Sequence, residues 1–189
     1  MSQQTMSTEA TGRILRRAFG RATAVSLAIV AVAAGPSLMR NWRGLLQAAA
    51  RPIHAPDLTL LARAPLAVQI HLATLALAVG ATAVLLAGVK GSRLHRLLGW
   101  SWSTAMIATA VSTLFIKVPP GWPSIFGLGY LHLFALLTFI SVPRAVWAAR
   151  HHQVDKHAGI ISGFLVGGLG LAGLFALLPG RLMWQVLFG

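Results

Sequence analysis

Long apolar stretches separated by short polar breaks run through most of this chain. The clearest cover 64–89, 94–116, 124–147 and 157–178, each near the length of roughly twenty residues that an α-helix needs to cross the hydrocarbon core of a bilayer. The breaks carry turn and stop chemistry. Lys90-Gly91-Ser92-Arg93 is a tight basic turn, and the run from Lys117 to Pro123 contains Pro119, Pro120 and Pro123, through which no helix continues. Ala148 to Lys156 is polar and basic, and Pro179-Gly180 ends the last stretch. A weaker apolar stretch, 22–39, comes earlier and is interrupted by Pro36. It reads as a first transmembrane helix or as a signal peptide, because a basic region precedes it and it contains the small residues Ala31, Ala33 and Ala34.

The pattern therefore divides the chain into a basic tail (1–21), the first helix or signal peptide (22–39), an extramembrane interfacial segment (40–63), a four-helix transmembrane core (64–178) and an interfacial C-terminal tail (179–189). In the interfacial segment Trp42, Leu45 and Leu46 would face lipid and Arg43 and Arg51 water. The expected fold is all-α: an integral membrane helical bundle of about five transmembrane helices, with a four-helix core and an extra N-terminal helix. Trp42, Trp122, Trp147 and Trp184 fall at the expected span ends, where aromatic belts form. Trp102 lies about two turns into its span and is expected to face inward.

Composition agrees and narrows the chemistry. Hydrophobic residues make up 56% of the chain and charged residues 10%, against roughly 25% charged in a soluble domain. The net charge of +13 does not point to nucleic acid, because the basic residues fall between apolar spans and form no contiguous stripe. It points instead to topology and to the lipid bilayer as partner. With the N-terminus cytoplasmic, the inside holds Arg13, Arg16, Arg17, Arg21, Lys90, Arg93, Arg96, Arg144, Arg150 and Lys156. The outside then holds Arg40, Arg43, Arg51, Arg63, Lys117 and Arg181. The excess favours that orientation. There is no cysteine, which excludes disulfides, thiolate ligands, iron–sulfur clusters and covalently attached haem. The acids are Glu9, Asp57 and Asp155, none inside a span. Paired-carboxylate chemistry is thereby excluded from the membrane, and neither a hydrolase nor a transferase is expected.

The candidate chemistry lies in four histidines, one per core span: His71, His95, His132 and His157. Imidazole in hydrocarbon is costly and points to function. Neighbouring spans run antiparallel, so the four sort into two layers. His71 and His132 lie about seven and eight residues inside their spans, roughly 10–12 Å deep on one side. His95 and His157 lie at the opposite interface. The residues after His71 at helical spacing, Thr74, Ala78, Ala81 and Thr82, form a small, weakly polar stripe suited to a bundle interior. Around His132 the same face holds Gly129, Ala135 and Leu136; after His95 come Gly99, Trp102, Met106 and Thr113. Two histidines at equal depth describe the axial ligands of haem b, whose iron needs only two protein ligands. Haem iron is thus the metal expected at all four positions, and a redox or membrane-complex partner would follow. The alternative is a cofactor-free accessory subunit or small carrier whose inward histidines, His71 and His132 above all, line a polar site.

His95-Arg96-Leu97-Leu98-Gly99-Trp100 after a basic turn, a histidine early in the preceding span, and a closing Pro179-Gly180-Arg181 resemble the DUF2306 family of bacterial predicted membrane proteins. The resemblance covers about residues 64–185 and implies a membrane fold, in the bacterial inner (plasma) membrane, without an activity. Family members often follow the later histidine with arginine and an aromatic–methionine pair; here His157 precedes Ala158-Gly159-Ile160. More distantly, the chain resembles two-haem b-type transmembrane cytochromes. Their four core helices each donate a histidine and pair alternately, as His71 with His132 and His95 with His157 would.

Overall fold

A computed structural model describes residues 55–117, 128–129, 132–177 and 181–188, with isolated helical positions at 24, 27, 28, 31, 43 and 46. The first expected span and most of the interfacial segment, with Trp42 and His54, lie outside the described residues, as does the proline-rich break at 118–127 with Trp122. The described elements are all helical: α1 (Leu58–Ala62), α2 (Leu66–Ala87), α3 (Arg93–Thr113), α4 (His132–Arg150), α5 (Val154–Ala176) and α6 (Leu182–Phe188). They belong to two compact units. One is Pro65–Ile161, and the other joins the N-terminal segment to Ser162–Gly189. Helix α5 starts in the first and ends in the second.

In the Pro65–Ile161 unit, α3 packs against both α2 and α4. This central position explains its composition. Helices α2, α4 and α5 are long and apolar enough to cross a membrane, whereas α3 has the length, 21 residues, with serines, threonines, Arg93 and Arg96 along it. A helix with protein on two sides tolerates more polarity than one facing lipid, because its polar atoms find partners. Its buried residues accordingly cover about half of its circumference: Trp102, Ser103, Ala105, Met106, Thr109, Ala110 and Ser112. Helix α2 flanks it and buries only Ala78 and Ala81. Leu77 and Leu86 of α2 stay 59% and 63% exposed and are apolar surface for lipid.

The turn between α2 and α3 satisfies both helix ends. Lys90 Nζ donates to the carbonyls of Leu85 (2.6 Å), Leu86 (2.8 Å) and Gly88 (3.2 Å), which α2 leaves without helical partners. Gly91 takes φ +77°, the left-handed region in which glycine has no steric cost. The Ser92 hydroxyl accepts from the His95 N–H and caps α3. In α4, Pro143 stands inside the helix and removes one ladder hydrogen bond.

The second unit contains the end of α5, which widens to a π-helix over Leu165–Leu171. Glycine at 168 is required there, since a Cβ would stand 2.9 Å from the Phe164 ring. The C-terminal segment packs on α1. Within this unit the Asp57 N–H donates to the Val186 carbonyl at 2.9 Å, and Trp184 and Val186 of α6 are buried. Asp57 caps α1 by accepting from the Thr59 N–H (2.9 Å) and hydroxyl (2.6 Å). The Thr59 hydroxyl and amide hold its carboxyl below the 3.8 of an unperturbed aspartate. A depressed carboxylate contributes its stabilisation above the unfolded value and loses it as pH falls through the folded one. The Thr59 amide resonance should therefore titrate with a midpoint below 3.8. A midpoint at or above that value would count against the cap.

Candidate functional site

The interface of α2 and α3 is a polar seam. Thr82 Oγ1 accepts from the Trp102 indole N–H at 2.9 Å and donates to the Ala78 carbonyl. Ala78 and Ala81 let the helices approach closely. One to two turns from Ala78 toward the start of α2, Thr74 Oγ1 and Thr109 Oγ1 lie 2.7 Å apart. Next comes His71. Its Nδ1 is 3.1 Å from Thr113 Oγ1, 3.2 Å from the Thr109 carbonyl and 3.4 Å from Ser112 Oγ. The hydroxyls of Ser112 and Thr113 both donate to the Thr109 carbonyl at 2.8 Å. Only their lone pairs face the imidazole, so Nδ1 is the protonated nitrogen and donates. Nε2 then carries the lone pair and makes no hydrogen bond with a described residue.

His132 is placed differently from the expectation of a deep, mid-span residue. Helix α4 starts at His132, not near Ser124, so the residue is at a helix end. Its Nε2–H donates to the Ile116 carbonyl just past the end of α3 (3.2 Å), and its Nδ1 accepts from the Gly129 N–H (3.0 Å). Both ring nitrogens are in use. His71 contacts Thr109 and Thr113 in the last turn of α3, and His132 contacts Ile116 just past its end. Each histidine ties a neighbouring segment to the C-terminal end of α3.

His95 and His157 are the third residue of α3 and the fourth of α5. His157 donates from Nδ1 to the Ala145 carbonyl of α4 at 2.9 Å. That bond fixes the tautomer and leaves Nε2 with its lone pair and no described partner. The two rings lie within electrostatic reach of each other. His95 Nδ1 is buried and has no hydrogen-bond partner among the described residues, an arrangement that costs free energy. Among the described residues no group of three or more His, Cys, Asp or Glu could hold a metal ion. A metal held here would need most of its ligands from elsewhere, as haem iron has from its porphyrin.

Of the stripe following His71, Ala78 and Ala81 are buried and Thr74 and Thr82 are half-buried, and Trp102 is 3% exposed. Thr109 and Ser112, the partners that orient His71, are missing from the sequence reading. The signal for Thr109 is present, since it continues the stripe His95, Gly99, Trp102, Met106 by one more step of three. No curated protein and no solved structure matches the chain. The family of predicted membrane proteins defined by the domain of unknown function DUF2306 matches residues 66–180. That stretch runs from the first residue of α2 through α5 and carries the polar seam and all four histidines, so the chain belongs to the DUF2306 family of predicted membrane proteins.

Proposed function

We propose that this membrane protein transfers electrons through a single b-type haem held between His95 and His157, and that the His71 and His132 layer is structural. The observation that carries this reading is the His157 ring. Its Nδ1–H is committed to the Ala145 carbonyl, the second-shell bond by which ligating histidines are commonly oriented, and its Nε2 lone pair is left for a metal. His95, within electrostatic reach of His157 and with a buried nitrogen that has no hydrogen-bond partner among the described residues, would supply the second axial nitrogen. When bound, haem iron supplies one-electron chemistry. The chain's part is to orient the two imidazoles, exclude water and surround the site with the positive charge of Lys90, Arg93 and Arg96, which favours the reduced state. The setting is the bacterial inner membrane with the N-terminus cytoplasmic. A redox partner would then meet the face that carries the α2–α3 and α4–α5 turns.

Oxidised and dithionite-reduced spectra of the purified protein test the proposal. A Soret band that shifts on reduction is expected, lost in His95→Ala and His157→Ala and retained in His71→Ala and His132→Ala. No Soret band after expression with ample haem would refute it, as would a band indifferent to His95 and His157. A second reading is favoured by the His71 seam: a cofactor-free subunit or small carrier whose polar lining is Thr74, His71 and Thr113. It predicts no Soret band and a phenotype confined to the His71 variant.

A further inference from the structure

Between α3 and α4 lies a groove of about 460 Å³ lined by residues that include Trp100, Thr104, Ile107, Pro143, Trp147 and Arg150. Its size falls within the roughly 300–1,000 Å³ of small-molecule sites. The two helices run antiparallel, so the groove has a direction. Ile107 and Pro143 wall its deeper end. Trp100, Trp147 and Arg150 stand at the end near the turns. Trp100 and Trp147 are 56% and 48% exposed, so both indoles border the groove and still face outward. Trp147 is fixed from outside: His151 stacks on it at a centroid distance of 4.2 Å, His151 Nδ1 lies 2.8 Å from the Trp147 carbonyl, and Lys156 Nζ sits 5.0 Å from the ring centroid. Arg144 and Lys156 line an adjoining recess with Pro143 and Trp147. The Arg150 guanidinium makes no hydrogen bond with a described residue. Of the described charged side chains at this edge of the unit, Lys90, Arg93, Arg96, Arg144, Arg150 and Lys156 are basic and Asp155 alone is acidic.

We infer that this groove holds an anionic phospholipid, with an acyl chain along Ile107 and Pro143 and the headgroup phosphate on Arg150 and Lys156. Three features select this occupant over another helix or a neutral lipid. Its walls are apolar at the depth of acyl chains and aromatic at the depth of the headgroups. The polar end is predominantly cationic, with Arg150 in the groove and Arg144 and Lys156 in the adjoining recess, and guanidinium pairs with phosphate through two parallel hydrogen bonds. Arg150 lies one turn past Trp147 on the same helix face, so a phosphate at the arginine leaves the chain entering beside the indole. A zwitterionic lipid would bring its own cation against these basic groups.

The full-length protein, purified in detergent and exposed to equal amounts of phosphatidylglycerol and phosphatidylcholine, tests this by native mass spectrometry of retained lipid. Phosphatidylglycerol should be retained over phosphatidylcholine by about five-fold or more, the factor expected for each basic residue at an anionic surface. The double variant Arg150→Gln, Lys156→Gln should bring the ratio near one. Ile107→Trp, which fills the groove and leaves every charge in place, should reduce retention of both lipids, with circular dichroism confirming the helices. Inorganic phosphate at 50 mM, roughly a hundred-fold above the lipid, should not release the lipid. Equal retention of the two lipids would overturn the inference. So would a preference that survives the double variant, release by phosphate alone, or a second copy of the chain in place of lipid.

Discussion

Replacing Trp102 with alanine is expected to destabilise the protein by about 3–5 kcal/mol, the range for removing a buried aromatic side chain. Trp102 is 3% exposed on the central helix, and its indole N–H reaches across to Thr82 at 2.9 Å. Alanine removes the ring, leaves a void beside Ala78 and Ala81, and takes away the partner of the Thr82 lone pair. Trp102→Phe separates the two contributions. It keeps most of the volume and loses the hydrogen bond, which between membrane helices averages about 0.6 kcal/mol. Unfolding of the purified protein in mixed micelles with increasing dodecyl sulfate measures both. A Trp102→Ala loss under about 1 kcal/mol, the typical value for a point substitution, would show that the ring is not packed as described.

Ala78→Leu is expected to cost about 1–3 kcal/mol by overpacking. Ala78 is fully buried on the face of α2 that meets α3. A leucine there must push the helices apart, and the separation would stretch the Thr74–Thr109 and His71–Thr113 hydrogen bonds of 2.7 and 3.1 Å. The neighbouring exchange, Leu77→Ala, acts at a position 59% exposed and should stay within about 0.5 kcal/mol, as for surface positions generally. The same unfolding assay compares them. If Leu77→Ala proved the more damaging, the assignment of faces on α2 would be wrong.

The two variants probe the part of the molecule most legible in the chain. The stripe His71, Thr74, Ala78, Ala81, Thr82 reads as interior because small residues recur at helical spacing on an otherwise leucine-rich span, and α2 buries Ala78 and Ala81. Trp102 follows the same logic on α3. The expected spans 64–89, 94–116 and 157–178 correspond to Leu66–Ala87, Arg93–Thr113 and Val154–Ala176, because length, apolarity and turn residues act locally. The span expected from 124 does not, since α4 starts at His132. Apolar residues alone do not distinguish a helix from the non-helical Leu128 and Gly129 that precede it. That difference of about eight residues puts His132 at a helix end and not at mid-span.

What the amino-acid sequence determined by itself was the class of the molecule, its main helices and their inward stripes. Those depend on hydrophobicity and on a 3.6-residue period, both set by residues within a few positions of one another. Only the tertiary structure decided the state of each histidine. His71 is oriented by Thr113, 42 positions away, His132 by Ile116 and Gly129, and His157 by Ala145. An imidazole offers a metal ligand or a structural hydrogen bond according to which nitrogen is already engaged. Where the partner sits on another helix, packing makes that choice.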